Sequence, residues 1–371
     1  MGSILNDKIY NIWILNNSNE VLTKNILQSF YDVGNCKIKL HIISAVPKCQ
    51  LKYSRFVSSY NYISGAVETW PDKICSIISE YENNYIIPSC ENCVDFLIKH
   101  DKELLDLSKI HPVPKYEQFD IAKNKDKLAI FLANNNIRIP QTWNRDSIEE
   151  FYNNPVFPVL IKPINRSGGN EIVQCGSVEE LRNYIKNYSN YILQEYIESV
   201  VVGGNILAYD GEILASTVQK DYLYYEDNFS PAKGIRIIKD DKIFGLVEEV
   251  VSLLEWNGVM NVDICKEKGS NKLYFIEINA RYWASLIGSL KAGVNFPLIS
   301  FYEAFNIDYK VIKKSDVYFS GIKAAISQKF NFNPDVADHN FSIFKETNIK
   351  YLLQDPVPAF ISFFKNYFNN K

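Results

Sequence analysis

Short apolar runs alternate with amphipathic segments over the first 110 residues. The runs at 8–15, 37–44 and 84–87 are rich in β-branched and aromatic residues, which predicts strands, and helices are predicted at 20–31 and 72–81. Strand–helix–strand alternation of this kind indicates an α/β unit with a parallel sheet. It contains no GxGxxG motif, so the fingerprint of a dinucleotide site is absent from it.

The pattern changes after Pro112 and Pro114, which mark a domain boundary. A helix is predicted at 120–135, and after Ser285 the pattern is mainly helical. The elements between are predicted as strands at 157–162, 171–175, 191–197, 204–209 and 212–220, helices at 178–188 and 241–256, and a hairpin of strands 259–265 and 273–279.

The predicted hairpin carries the most informative polar residues. Its turn places Asp263 opposite Glu277. Strand side chains alternate between faces, which puts Glu277, Asn279 and Arg281 on one face and Ile276, Ile278 and Ala280 on the other. Opposed carboxylates repel unless a cation lies between them, and carboxylate and amide oxygens suit Mg²⁺. The alternative is a solvated strand face whose charges never converge.

A second group of residues suits phosphate binding. Lys162 ends an apolar strand, and Ser167, Gly168 and Gly169 follow shortly after it. Glycines let backbone N–H groups approach phosphate oxygens, and a lysine supplies a point charge. A plain hairpin turn is the alternative for this loop.

Two further segments are weaker candidates. Lys127 lies on the predicted helix 120–135, where a solvated lysine face is the alternative and is the expectation for Lys123 and Lys125. The segment Gln194–Ile197 can present backbone amide and carbonyl groups to a base edge, and an ordinary edge strand is its alternative.

Composition narrows the classes of function. The 371 residues include 40 Lys and Arg against 43 Asp and Glu, a net charge of -3. Nucleic-acid binding normally needs a basic excess, so we expect no nucleic-acid partner. The chain has no apolar run long enough to span a membrane, and its first residues lack the pattern of a signal peptide, so a cytoplasmic protein is expected.

Of the seven cysteines, only Cys90 and Cys93 form a CxxC motif. Without a second pair, this spacing does not indicate a zinc site. We expect reduced cysteines that behave as small apolar residues.

Taken in order along the chain, these segments resemble the ATP-grasp superfamily of carboxylate–amine and related ligases. The resemblance is to the branch of biotin carboxylase, carbamoyl phosphate synthetase and D-aspartate ligase-like enzymes, and spans residues 115–310. It rests on the segments NKDKLAIFLANNNIRIP (124–140), FPVLIKP (157–163), LQEYI (193–197), NVDIC (261–265), FIEINAR (275–281) and RYWASLIGSLKAGVNFP (281–297).

The resemblance implies a fold of mixed α/β and α+β class, an ATP-grasp fold of two α+β lobes after a Rossmann-like α/β domain. The implied units are residues 1–115 for the Rossmann-like domain, 116–192 for the small lobe, 193–310 for the large lobe, and 311–371 for a C-terminal segment packed on the large lobe.

It also implies roles for individual residues. The nucleotide contacts would be Lys127 and Lys162 on phosphates, Ser167, Gly168 and Gly169 in a loop over the triphosphate, and Gln194, Glu195, Tyr196, Ile197 and Glu198 around adenine and ribose. Asp263, Glu277 and Asn279 would hold one or two Mg²⁺ ions, with Mn²⁺ as an alternative, and Arg281 and Lys162 would act in catalysis. One departure is Gly203-Gly204-Asn205, where many members have Gly-x-Glu or Gly-x-Asp.

The implied reaction is ATP-dependent amide formation through an acyl phosphate, with small-molecule carboxylate and amine substrates. An amino acid or short peptide is the first expectation. Lys220, Lys233 and Arg236 are candidates to hold an anionic substrate, with solvated side chains as the alternative. The other functions that stay open are amidation of a sugar acid in surface polysaccharide biosynthesis, a bicarbonate-activating carboxylase-like reaction, and a non-catalytic nucleotide-binding module. A homodimer is compatible with the resemblance.

Overall fold

The computed structural model describes residues 8–17, 19–34, 36–65, 67–164, 171–188, 190–224, 229, 231–330 and 342–369. The strands are β1 (Ile9–Asn16), β2 (Lys37–Ser44), β3 (Val57–Tyr62), β4 (Asn84–Pro88), β5 (Lys109–Ile110), β6 (Thr142–Trp143), β7 (Val159–Pro163), β8 (Val173–Cys175), β9 (Tyr191–Glu195), β10 (Ser199–Tyr209), β11 (Glu212–Leu223), β12 (Gly234–Ile238), β13 (Gly258–Glu267), β14 (Leu273–Asn279) and β15 (Val317–Ser320).

The helices are α1 (Glu20–Gln28), α2 (Trp70–Ile78), α3 (Glu91–Leu104), α4 (Tyr116–Lys123), α5 (Lys125–Asn134), α6 (Ile148–Asn153), α7 (Val178–Ile185), α8 (Asp241–Leu253), α9 (Leu286–Lys291), α10 (Phe296–Ala304), α11 (Ile322–Phe330), α12 (Ile343–Glu346), α13 (Ile349–Gln354) and α14 (Pro356–Asn369). Within the described ranges, no helix is long and apolar enough to cross a membrane.

The first sheet is parallel, as the strand–helix alternation predicts. Its five strands run in the order β3-β2-β1-β4-β5. Alternate residues of β1 enter two different cores: Ile12 and Ile14 pack with Ile26 of α1, whereas Trp13 packs with helices α2 and α3. Helices therefore cover both faces of the sheet, which explains why its strands are apolar on both sides.

The second sheet has four strands in the order β6-β9-β7-β8. Its core contains Trp143, Phe151 and Leu181. The Ser177 hydroxyl accepts a hydrogen bond from the Glu180 backbone N–H and so caps the N-terminus of α7. Strand β9 continues to Glu195, so the predicted boundary between 192 and 193 falls inside a strand of this sheet.

The third sheet is the largest, with six strands in the order β14-β13-β10-β11-β12-β15. Helix α8 covers one face, where Val247 and Val250 pack with Val218 of β11. Strand β15 pairs with β12, so this sheet extends beyond the predicted end of the large lobe at residue 310.

The helix predicted at 120–135 differs from the structure both in its length and in its packing. The helix predicted at 120–135 is two helices, because Asn124 has extended backbone angles and its side chain caps α5. The prediction places α4 and α5 in the small lobe. In the structure, Phe119 of α4 and Leu128 of α5 pack in the core of the six-stranded sheet instead.

The C-terminal segment does not pack on the large lobe alone. Asp355 accepts hydrogen bonds from the Tyr31 hydroxyl, at 2.8 Å, and from the Arg55 backbone N–H, at 3.2 Å. Lys350 forms an ion pair with Asp32. These contacts tie the segment to the N-terminal domain.

Candidate functional site

The hairpin of β13 and β14 has the predicted register at its polar end. Asp263 lies opposite Glu277, and Asn261 lies opposite Asn279. Strand β14 is the edge strand of the six-stranded sheet and β13 is its neighbour, so the sheet holds both carboxylates side by side on one face. The prediction that these carboxylates oppose each other is confirmed.

A bulge next to this pair changes the face of one residue. The pairing passes from Asp263–Glu277 to Ile264–Phe275, which leaves Ile276 as the extra residue. Phe275 therefore joins Ile278 in the core, and Ile276 lines a cleft on the other side. The prediction that Ile276 shares the core face is wrong because period-two alternation does not include a bulge.

The proximity of the two carboxylates shifts the pKa of Asp263. Burial, the charge of Glu277 and the charge of Asp221 all raise the pKa of Asp263 well above its usual value, and Arg281 partly offsets them. Folding has thus placed negative charges together where water screens them poorly. A bound cation would relieve this repulsion.

Next to the pair of Asp263 and Glu277, side-chain amides on neighbouring strands form a ladder of hydrogen bonds. Asn279 Nδ2 lies 3.3 Å from Asn261 Oδ1 and donates to it, and Asn261 Nδ2 donates to Asn205 Oδ1 at 2.9 Å. Asn205 in turn donates to Thr217 and Gln219, at 3.1 and 3.0 Å. Asn205 is fully buried, so a carboxylate at this position would lack the amide donor that completes the ladder.

Arg281 connects the hairpin to the N-terminal domain. Its guanidinium donates to Asn279 Oδ1 and to the Tyr282 carbonyl oxygen, both at 3.0 Å. Its Nε lies 3.5 Å from a carboxylate oxygen of Glu91, at the start of α3. This fork geometry holds a permanent positive charge beside the carboxylate pair.

A cleft lies beside the hairpin, between the four-stranded and the six-stranded sheets. Apolar side chains line it together with two lysines and a glutamine: Lys125, Ala129, Leu132, Ile139, Lys162, Ile192, Gln194, Phe275 and Ile276. Lys162 Nζ donates to Gln194 Oε1 at 2.6 Å. Burial lowers the pKa of Lys162, while the charge of Glu277 opposes that shift. A buried ammonium in such a cleft suits an anionic ligand.

The second lysine of the cleft is not the predicted one. Lys125 Nζ lies 3.6 Å from Glu277 Oε2, and its side chain is 12% exposed. Lys127 pairs with Asp120 and is 52% exposed. The structure therefore brings Lys125, not Lys127, to the carboxylates, and the expectation of a solvated Lys125 is wrong.

The predicted adenine segment leaves the small sheet at the end of β9. The backbone N–H groups of Glu195 and Tyr196 donate to Gln141 and Pro158 carbonyl oxygens, at 2.8 and 3.2 Å. Ile197 follows them, and the exposed Glu198 pairs with Lys268 at 3.0 Å. Ser167, Gly168 and Gly169 lie outside the described residues.

The residues predicted to hold an anionic substrate do not gather at the site. Lys220 lies opposite Arg236 and shares its face of the sheet with Val218, which packs under α8. That face is opposite to the one that carries Asp263. Arg236 pairs with Asp316 at 2.6 Å, and Lys233 directly precedes β12.

Asp221 is a site residue that the prediction missed. Gln219 lies opposite Gly203, which lies opposite Asp263, so Gln219 and Asp221 share the carboxylate face. Burial raises the pKa of Asp221 to about 7. The alternation of side chains between the two faces of a strand, applied to β11 as well as to the hairpin, would have placed Asp221 on the carboxylate face.

The donor set fits a hard divalent cation. Asp263 and Glu277 offer carboxylate oxygens, and Asn279 offers an amide oxygen that now accepts from Arg281. Across the described ranges, no group of three or more His, Cys, Asp and Glu side chains is arranged to hold a metal ion.

Comparison with known proteins agrees with this geometry. Residues 122–285 match the model of a family described as an ATP-grasp domain. The carbamoyl phosphate synthase large chain of Thermoanaerobacter sp. is 22% identical over 206 residues, which are 51% of this chain and 18% of that protein. A D-alanine–D-alanine ligase of Fusobacterium nucleatum is 26% identical over 174 residues, 43% of this chain and 56% of that one. The chain thus matches only part of each relative.

A solved structure resembles this fold over a larger part of the chain than the sequence relatives do. The L-amino acid ligase from Bacillus licheniformis superposes with a TM-score of 0.59 at 15% identity, covering 82% of this chain and 75% of that one. At this identity the likeness concerns the fold alone.

Proposed function

We propose that this protein joins a carboxylate to an amine through an acyl phosphate, because residues 122–285 match the ATP-grasp family model and members of that family are ATP-dependent ligases. The observation that carries the proposal is the meeting of opposite charges at the cleft. Lys125 and Lys162 line the cleft, Lys125 pairs with Glu277 at its edge, and Glu277 lies opposite Asp263. A triphosphate with its metal ion fits between such groups.

Mg²⁺ would be held by Asp263, Glu277 and Asn279. When bound, it would supply positive charge that offsets the carboxylates and the negative charge of phosphate groups. Lys162 would contact a phosphate oxygen directly, which gives its buried ammonium an anionic partner. Ile276, Leu132 and Ile139 would give the nucleotide an apolar wall.

The reaction would have two steps. A carboxylate oxygen of the first substrate attacks the γ-phosphorus of ATP, the bond to the bridging oxygen of ADP breaks, and an acyl phosphate forms. The neutral amine of the second substrate then attacks the acyl carbon. Phosphate leaves with the acyl C–O bond pair, the amine loses a proton, and an amide remains. Arg281 would stabilise charge on the acyl phosphate, because its fork already binds an oxygen at this point.

We propose an amino acid or a short peptide as the substrate class. Asp221 supports an amine-bearing substrate, since its carboxylate has no ion pair or side-chain hydrogen bond in the described structure and lies on the face of the reacting groups. The L-amino acid ligase with the same fold and the D-alanine–D-alanine ligase relative support the same class.

The test is ADP formation by the full chain with MgATP and single amino acids or pairs of them. We expect stimulation by particular pairs, with an equal amount of a dipeptide detected by mass spectrometry. Glu277→Gln should reduce the rate by about 30- to 1000-fold, or roughly 2–4 kcal/mol of barrier, because one charged contact is lost. The exposed Glu212→Gln is the matched control.

Two results would contradict parts of the proposal. Full activity of Glu277→Gln would overturn the site. Stimulation by bicarbonate or by sugar acids alone would overturn the amino-acid substrate and favour one of the two alternative reactions instead.

A further inference from the structure

Cys90 and Cys93 lie together where β4 passes into α3. Their Sγ atoms are 3.5 Å apart. Cys90 Sγ is also 3.3 Å from the Asn17 carbonyl oxygen, and Cys93 Sγ is 3.4 Å from that of Leu15. Both thiols thus face the carboxyl end of β1. A disulfide needs an S–S distance of about 2 Å, so the two sulfurs and the backbone of residues 90–93 that carries them would have to move closer together to be joined.

The two sulfurs differ chemically. The hydrogen bond between the two sulfurs is the main cause that lowers the pKa of Cys90 to about 6. The same hydrogen bond, together with burial, raises the pKa of Cys93. The start of a helix also favours a thiolate at Cys90. Cys90 is 7% exposed and Cys93 is 1% exposed, so a reagent reaches Cys90 first.

The pair encloses a residue that contacts the proposed site. Glu91 lies between the cysteines in sequence, and its carboxylate is 3.5 Å from Nε of Arg281. Arg281 also donates to Asn279, a proposed metal ligand. A change of backbone between Cys90 and Cys93 therefore acts on the residue that helps to hold Arg281.

We propose that Cys90 and Cys93 are a reversible thiol–disulfide site that controls the position of Arg281 through Glu91. The oxidant is a small disulfide such as oxidised glutathione. The Cys90 thiolate attacks one of its sulfurs, and one glutathione thiolate leaves. Cys93 then loses its proton to solvent, and its thiolate attacks the Cys90 sulfur of the mixed disulfide. A second glutathione thiolate leaves, so two protein thiols are oxidised and one disulfide is reduced to two thiols.

The first test follows the bond itself and does not depend on the proposed function. The full chain is equilibrated in glutathione buffers of increasing oxidised fraction, alkylated and digested, and the peptide with Cys90 and Cys93 is sequenced by mass spectrometry. We expect an internal disulfide in the wild type and in Cys75→Ser, which removes the other cysteine nearby in sequence. Cys93→Ser should instead hold glutathione at Cys90. Full alkylation of both cysteines in every buffer would overturn the proposal.

The second test follows the connection to Arg281 and rests on the proposed ligase activity. We expect the disulfide to reduce kcat about 10-fold, with recovery in dithiothreitol, because Arg281 loses part of its support. The kcat of reduced Cys93→Ser should equal that of the reduced wild type and should not change when the oxidant is added. In Glu91→Gln the disulfide should form without a further change in kcat.

The two tests separate the possible failures. An unchanged kcat in fully oxidised wild type would overturn the link to Arg281. If the disulfide forms but neither state has ligase activity, the proposed function fails and the thiol–disulfide site stands.

Discussion

Lys125 and Lys127 lie on one short helix but have different partners. Lys125 reaches Glu277 beside the cleft, whereas Lys127 pairs with Asp120 at the surface. We predict that Lys125→Met weakens ADP binding about 10-fold or more, since a charged hydrogen bond contributes roughly 1.5–3 kcal/mol. Lys127→Met, the matched control, should change the Kd by less than about 3-fold. Isothermal titration with MgADP measures both, and the reverse order of effects would contradict the placement of Lys125.

Asp221 provides a prediction in the pH dependence of stability. Its pKa is raised from 3.8 to about 7 in the folded protein. Between these values the folded carboxyl keeps a proton that the unfolded chain has lost, so rising pH lowers the free energy of unfolding. Asp221→Asn removes this loss. Relative to wild type, it should be more stable by more than about 1 kcal/mol at the upper end of the window than at the lower end.

Urea unfolding at both ends of this pH window, without nucleotide or metal, measures the effect. The exposed Asp308→Asn is the control and should follow the wild type. Parallel pH profiles for wild type and Asp221→Asn would show that Asp221 titrates as an ordinary carboxyl.

At the scale of elements, the approach of β10 to β13 requires Gly203. A Cβ on Gly203 would overlap the backbone carbonyl oxygen of Val262, which cannot move without breaking the sheet, and Gly203 lies directly opposite Asp263. We predict that Gly203→Ala lowers the free energy of unfolding by about 2 kcal/mol or more.

Gly245, in the middle of α8, is the matched control because a Cβ added there would have no neighbouring atom within 4 Å. Gly245→Ala should stabilise the protein by about 0.5–1 kcal/mol, as alanine favours the helix. Thermal unfolding of both variants measures the contrast. Equal effects would contradict the close approach of the two strands.

The sequence predicts those features that local interactions determine, and it does not predict those that depend on contacts between distant segments. Hairpin register follows from a local turn and alternation, so the opposition of Asp263 and Glu277 is predictable. The bulge at Ile276 interrupts that alternation, and the apolar and polar pattern of the strand gives no sign of it. Lys125 was expected in solvent because a run of lysines is usually solvated, and only the tertiary placement of α5 brings it to Glu277. Helix α3 went unpredicted, and with it the contact of Glu91 and Arg281.

At the scale of the whole molecule, the site draws on all three sheets. The four-stranded sheet supplies Lys162 and Gln194, the six-stranded sheet supplies the carboxylates, and the N-terminal domain supplies Glu91 through α3. Under the proposed function, this arrangement would let a chain with a net charge of -3 bind a polyanionic nucleotide. The few positive charges that matter are local and buried rather than spread over the surface.

In the proposed reaction, a substrate carboxylate is phosphorylated before the amine attacks. Transfer of ¹⁸O tests it most directly: the carboxylate substrate identified by the ADP assay is labelled with ¹⁸O, and the released phosphate is analysed by mass spectrometry. Attack on the γ-phosphorus leaves one carboxylate oxygen in the phosphate, so we predict one ¹⁸O atom in each phosphate released. Unlabelled phosphate, or release of pyrophosphate with AMP, would contradict the acyl phosphate.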